Sequence, residues 1–134
     1  VASCAATRRL IARENAHGIP VDRIFLAGFS QGGAVAYTTA LTYPEALAGV
    51  IALSTYIPSP ALLAREASAA NRAIPILAAH GIQDDVVSPA LGRAARDFLT
   101  QHGYAVEWHE YPMPHSLCIE EVRLIGHWLR ARLA

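Results

Sequence analysis

The 134 residues suffice for one domain at most, and an apolar content of 53% excludes a disordered chain while supplying a packed core. Eleven basic residues, every one an arginine, balance eleven acidic residues without blocks of either sign, so the footprint of a nucleic-acid or anionic-membrane binder is absent. No run approaches the roughly 18 apolar residues of a membrane span, and no signal-peptide pattern opens the chain, which makes a cytoplasmic location the expectation.

In chain order, residues 2–16 carry a helical pattern with Leu10 and Ile11 among small residues, stopped by His17-Gly18-Ile19-Pro20. Val1 stands inside that pattern in place of a Met, and the expectation is that residues upstream are missing. Residues 23–28 read as a buried strand that runs directly into Gly28-Phe29-Ser30-Gln31-Gly32-Gly33, followed by a small-residue helix over 33–43 ended at Pro44. A second strand spans 47–53, and loop with a short helix fills 54–71. The third strand covers 74–80 and closes at Gly81, after which Leu91, Ala95, Phe98 and Leu99 recur at helical spacing over 90–102. Alternation of Val106 and Trp108 with polar residues marks a fourth strand over 105–111, broken by Pro112 and Pro114. The closing helix places Cys118, Val122, Ile125, Leu129 and Leu133 on one face. Cys4 and Cys118 fall far apart in helical segments, so they are expected as buried small apolar residues, neither a disulfide framework nor a metal pair.

Strands alternating with helices at this spacing call for an α/β fold, a mostly parallel sheet covered on both faces, because parallel neighbours need crossover connections. In such sheets ligand sites collect beyond the carboxyl ends of the strands. Three loops at those ends hold Ser30, then Asp84 with Asp85 in His80-Gly81-Ile82-Gln83-Asp84-Asp85, then His115 in Tyr111-Pro112-Met113-Pro114-His115-Ser116.

The chemistry that this set suits is acyl transfer. A serine hydroxyl is a weak nucleophile until an imidazole accepts its proton, and a carboxylate must orient the imidazole. Gly-x-Ser-x-Gly at a strand-to-helix turn exposes the serine, requires the residues two before and two after to lack side chains, and aims a helix N-terminus at the developing negative charge. Gly28 and Gly32 meet that requirement. Either Asp84 or Asp85 is equally an ordinary turn former, and Ser116 is suited to cap the last helix with its hydroxyl. His17, His102 and His127 lie on or at the ends of helices, His109 on a strand face, and His80 at a strand end as support beside the site.

Gly28-Phe29-Ser30-Gln31-Gly32-Gly33, His80-Gly81-x-x-Asp84 followed by Val86-Val87, and Tyr111-x-Met113-x-His115 together resemble the phospholipase/carboxylesterase family of α/β-hydrolases, which includes acyl-protein thioesterases. The resemblance runs over essentially the whole chain. It implies Ser30 as nucleophile, Asp84 in preference to Asp85 as orienting carboxylate, His115 as general base and then acid, and the Gln31 N–H as one oxyanion donor. Leu53-Ser54-Thr55-Tyr56-Ile57-Pro58 resembles the family's acyl-pocket loop, so Tyr56 and Ile57, with Ile82 and Met113 beside members of the triad, are expected at the substrate. No metal and no cofactor is implied. The partner implied is a small-molecule ester or acyl substrate, with a homodimer as the assembly to test for.

The family's upstream His-Gly loop, which gives the second oxyanion donor, has no equivalent before Ser30, and the N-terminal strands of the family's sheet are absent as well. The chain thus resembles the C-terminal portion of such an enzyme. These residues alone are expected to be poorly active or poorly soluble, since one oxyanion donor is worth about 10²- to 10³-fold in rate and an open sheet edge invites aggregation. Two other readings stand beside the carboxylesterase: a lysophospholipase or acyl-protein thioesterase with the same triad, and a non-catalytic α/β-hydrolase fragment serving as an interaction module.

Overall fold

A computed structural model describes residues 2–133. The order of elements is α1 (Ala2–Ala16), β1 (Phe25–Phe29), α2 (Gln31–Thr42), β2 (Gly49–Leu53), α3 (Pro60–Glu66), β3 (Ile76–Gly81), α4 (Pro89–Gln101), β4 (Val106–Tyr111) and α5 (Ile119–Leu133), with single 3-10 turns at Val21–Arg23 and Ala69–Asn71. Strands lie in the order β1-β2-β3-β4, and every neighbouring pair is parallel. Each connection is therefore a crossover through a helix, and all four strand ends that feed loops toward the site lie on one edge of the sheet.

Residue type explains which strands lie in the middle. β2 (Gly49-Val50-Ile51-Ala52-Leu53) and β3 (Ile76-Leu77-Ala78-Ala79-His80-Gly81) are buried along their whole length, as strands covered on both faces must be. One face carries Val50, Ala52 and Ile76 into a core shared with Ile11 of α1, Tyr37 and Leu41 of α2, Leu63 of α3 and Leu99 of α4. The opposite face carries Ile51, Leu53, Leu77 and Ala79 against α5, where Trp128 is buried and meets Phe25 edge-on at 5.8 Å between ring centroids. β4 is the far edge strand, half-buried except at the exposed Glu107 and Glu110, and is tied to α4 by a two-bonded ion pair, Arg93 Nε and Nη2 to Glu110 at 2.7 and 3.0 Å. The hydrogen bonds from Arg93 hold the Glu110 carboxyl down at about 2. β1 is the other edge strand, with Ala27 and Phe29 exposed and no strand paired on its outer side among the described residues.

The closing helix differs from the sequence expectation. Val122 and Leu133 are 54% and 46% exposed, whereas Glu121 and Trp128 are its buried residues and Leu124, Ile125 and Leu129 pack beside them. α5 is rotated toward its Trp, whose large ring meets Phe25 and packs with Leu124, Ile125 and Leu129 against the sheet. Leu10 and Leu91 likewise face solvent, and Ile11, Ala95 and Leu99 make the contacts of their helices. Both cysteines are half-buried, and Cys118 lies just ahead of α5, not within it. Because α5 begins at Ile119, Ser116 lies two residues short of the capping position, which Cys118 occupies.

Glu121 is completely buried, and neither carboxylate oxygen has a hydrogen-bond partner among the described residues. Burial pushes its pKa up to about 7, and the approaching Cys118 N–H offsets only part of that rise. The sign follows from linkage: a folded pKa above the unfolded 4.5 means the unfolded chain releases its proton first, so stability falls as pH rises from about 4.5 to about 7 and is not regained above. Glu121→Gln, neutral and of the same shape, is expected to flatten that decline, raising Tm at pH 8 relative to the parent more than at pH 4.5. Parallel Tm-against-pH curves for the two proteins would count against an uncompensated carboxylate.

Candidate active site

The turn between β1 and α2 is built on a backbone conformation that residues other than glycine seldom adopt. Ser30 has φ 58° and ψ −122°, outside the helical and strand regions. Three backbone bonds hold it there: the Ser30 N–H donates to Leu53 O at 2.9 Å, and Ser30 O, as the first carbonyl of α2, accepts from the N–H groups of Gly33 and Ala34 at 3.0 and 3.2 Å. The tight reversal presses Gly28 onto the first turn of α2, where an added Cβ would fall on the Gly32 carbonyl group. Gly33 is equally constrained, because a Cβ there would come within 2.6 Å of the Thr55 side chain. Gly32 departs from expectation, since a Cβ there would meet nothing within 4 Å. It borders a hollow lined by α1, β1 and α2, beside Leu26 and Ala27, and within this turn the sterically obligatory glycines are Gly28 and Gly33.

Ser30, Asp84 and His115 are brought together from the loops after β1, β3 and β4. His115 Nδ1 lies 2.7 Å from Asp84 Oδ2, and His115 Nε2 lies 3.0 Å from Ser30 Oγ. An ionised carboxylate only accepts, so Nδ1 carries the proton and Nε2 presents its lone pair to the serine hydroxyl. Asp84 is buried, and its other oxygen, Oδ1, accepts from the N–H groups of Val86 and Val87 at 2.9 and 2.8 Å. Burial pushes its carboxyl up, but the His115 hydrogen bond and the two backbone N–H groups outweigh that and hold it below the ordinary range. Asp85 is exposed and faces solvent. The Gln31 N–H, at the first position of α2, has no acceptor within the helix and is one of the donors left over at a helix start.

Support comes from side chains around this set. His80, wholly buried at the end of β3, donates from Nε2 to Val87 O at 2.8 Å and stands 3.4 Å from Asp84 Oδ2, so the Asp84 loop is anchored from behind. The Phe29 ring lies against the His115 imidazole at 4.6 Å between centroids, and Thr55 Oγ1 donates to Ser30 O at 2.6 Å. Neither contact was read from the sequence. In the sequence Phe29 stands out only as the residue between Gly28 and Ser30, and Thr55 only as a member of the stretch that resembles an acyl-pocket loop.

The residues expected at the substrate separate. Tyr56 borders a cavity of about 400 Å3 that Gln31, Ala34, Val35, Pro58, Leu62 and Cys4 also line. Ile57 and Met113 are buried, Ile57 within the main core, and Ile82 is 47% exposed at the rim of the Asp84 loop. No group of three or more His, Cys, Asp or Glu residues that could hold a metal ion occurs among the described residues, nor a helix long and apolar enough to cross a membrane.

A parallel, helix-covered sheet with a serine on a sharp turn after one strand, and an acid and a histidine in later loops, defines the α/β-hydrolase class. Residues 2–133 match the family model described as phospholipase/carboxylesterase, and the chain belongs to that family. Among curated relatives it is 44% identical over 135 residues to acyl-protein thioesterase 1 of Neurospora crassa, covering 92% of this chain and 52% of that protein. It is 34% identical over 125 residues to carboxylesterase SOBER1 of Arabidopsis thaliana, covering 92% of this chain and 55% of that one. The crystal structure of Arabidopsis thaliana SOBER1 superposes with a TM-score of 0.92 at 32% identity, over 98% of this chain and 63% of that one. The chain thus spans about half the length of these curated relatives.

The two glycine positions give a paired prediction. Gly28→Ala forces backbone against backbone and is expected to cost more than about 2 kcal/mol in urea denaturation. Gly32→Ala, in open space and with better helix propensity, is expected to stay within about 0.5 kcal/mol of the parent. Equal losses would contradict the close approach assigned to Gly28.

Proposed function

We propose that the chain carries the nucleophile, base and acid of a serine carboxylic-ester hydrolase working through an acyl-enzyme. The observation that carries this reading is the unbroken line from Asp84 through His115 to Ser30, at 2.7 and 3.0 Å. Ser30 Oγ attacks the carbonyl carbon while its proton passes to His115 Nε2, and Asp84 holds the ring and stabilises the imidazolium that forms. Negative charge moves to the carbonyl oxygen, where the Gln31 N–H and the N-terminal end of the α2 dipole meet it. His115 then returns the proton to the departing alcohol or thiol. Water deprotonated by the same Nε2 attacks the acyl-enzyme and releases the acid, with Ser30 regaining its proton. No step calls for a metal or an organic cofactor.

One N–H makes half an oxyanion hole, and the family resemblance implies a second donor from the loop that follows an early strand. Supplying it is expected to raise kcat about 10²- to 10³-fold over the 134 residues alone.

A thioesterase acting on long acyl chains is the second reading. What favours it is the mostly apolar cavity of about 400 Å3 reached from Gln31 and Tyr56, together with relatives named acyl-protein thioesterase. Rates measured over p-nitrophenyl esters from two to sixteen carbons separate the readings, a maximum at long chains favouring the thioesterase.

The governing test is hydrolysis of p-nitrophenyl butyrate by the parent and by Ser30→Ala. The substitution is expected to lower kcat by roughly 10³-fold or more with the thermal transition retained. Substantial turnover surviving in that variant would remove Ser30 from the reaction. A parent with no turnover, even when the second donor is supplied, would leave the non-catalytic reading in its place.

A further inference from the structure

We infer that Thr55 is a positioning residue for the nucleophile: its hydroxyl, reaching from the loop after β2, clamps the strained Ser30 peptide so that Oγ stays in line with His115. This rests on the ester-hydrolase reading of Ser30 and adds to it a residue that never touches substrate.

Three observations converge on it. Thr55 Oγ1 donates to Ser30 O at 2.6 Å, the shortest of the three hydrogen bonds that this carbonyl accepts, the others coming from Gly33 and Ala34 at 3.0 and 3.2 Å. The same side chain fills the space over Gly33, where an added Cβ would lie 2.6 Å from both Thr55 Cβ and Cγ2, so its rotamer is fixed by packing. The loop bearing Thr55 is itself held: Ser54 has φ 49°, is fully buried, and donates its N–H to Ala79 O of β3 at 2.8 Å. The Ser30 peptide is consequently gripped at both ends by β2 and its loop, at the N–H by Leu53 O and at the carbonyl by Thr55.

A residue at φ 58° leans back toward commoner backbone regions unless its surroundings over-determine it. Rotating the Ser30 peptide swings Oγ about its Cα, and the 3.0 Å contact with His115 Nε2 has little slack before proton transfer fails. Thr55 is 4% exposed, and in an isosteric valine variant a methyl group occupies the place of the hydroxyl. The effect expected is on kcat, with KM little changed, because Thr55 does not line the cavity bordered by Tyr56 and Pro58.

Thr55→Val removes the hydroxyl and keeps the shape, and Thr55→Ser does the reverse. With p-nitrophenyl butyrate, Thr55→Val is expected to lower kcat roughly 10-fold or more with KM within about twofold, and Thr55→Ser to restore most of the loss. Should the valine variant not fold, Thr55→Ala against Thr55→Ser makes the same comparison, as both lack the methyl and only one keeps the hydroxyl. Amide hydrogen exchange at Gly33 and Ala34 gives a second readout independent of turnover, expected to quicken about 10-fold in the variants without the hydroxyl. A parent that hydrolyses no ester even with the second oxyanion donor supplied, but shows this exchange pattern, would sink the ester-hydrolase reading and keep the clamp. Equal kcat and equal exchange with and without the hydroxyl, or equal losses in the serine and alanine variants, would overturn the clamp.

Discussion

The site depends on one peptide held where a side-chain-bearing residue does not rest unaided. Ser30 at φ 58° leaves β1 and starts α2 within a single residue, and much around it exists to keep that turn closed. Gly28 lets the helix start lie on the strand, and Gly33 lets the β2 loop press against the helix. β2 pairs with β1 from Phe25↔Gly49 to Phe29↔Leu53, and this register delivers Leu53 O to the Ser30 N–H. The parallel sheet is therefore more than a platform. Its hydrogen bonds continue past the last strand residue and hold the turn.

The same logic governs the two loops that face Ser30. β3 and β4 pair from Ile76↔Val106 to Gly81↔Tyr111, so their ends are level and the loops that follow must converge. The Asp84 loop is folded around its own carboxylate, which takes up two backbone N–H groups and still has an oxygen for His115. Buried as it is, that carboxylate would be costly without those partners, and with them it remains ionised and fixes the tautomer of His115. His80 closes the loop from the side of the sheet by bonding Val87 O. Orientation at Ser30 is thus settled by backbone geometry, and orientation at His115 by charge.

The repeating pattern of strands and helices, and the placement of Ser30, Asp84 and His115 at strand ends, could be read from sequence because local signals and topology carry them. Strand limits shifted by one or two residues only. The features that could not be read depend on which way an element is rotated in the assembled layer. Val122 and Leu133 share the helical period of α5, yet Trp128 decides the buried face and Glu121 goes in with it, against its own chemistry. Gly32 and Gly33 are adjacent and equivalent in sequence, and only the position of Thr55 makes the second indispensable. Phe29 against His115, and Thr55 on Ser30, join residues 86 and 25 positions apart, a separation at which no local pattern speaks. Thr55 also stands in a stretch whose resemblance drew notice to Tyr56 and Ile57 instead.

The most direct measurement of an activated Ser30 is its covalent capture by a fluorophosphonate, read by intact mass and by peptide mapping. The arrangement of Asp84, His115 and Ser30 predicts a single phosphonyl group per chain, carried on Ser30 and lost when His115 is replaced by Ala. Labelling at another residue, or labelling of Ser30 that His115→Ala leaves at the same rate, would contradict it.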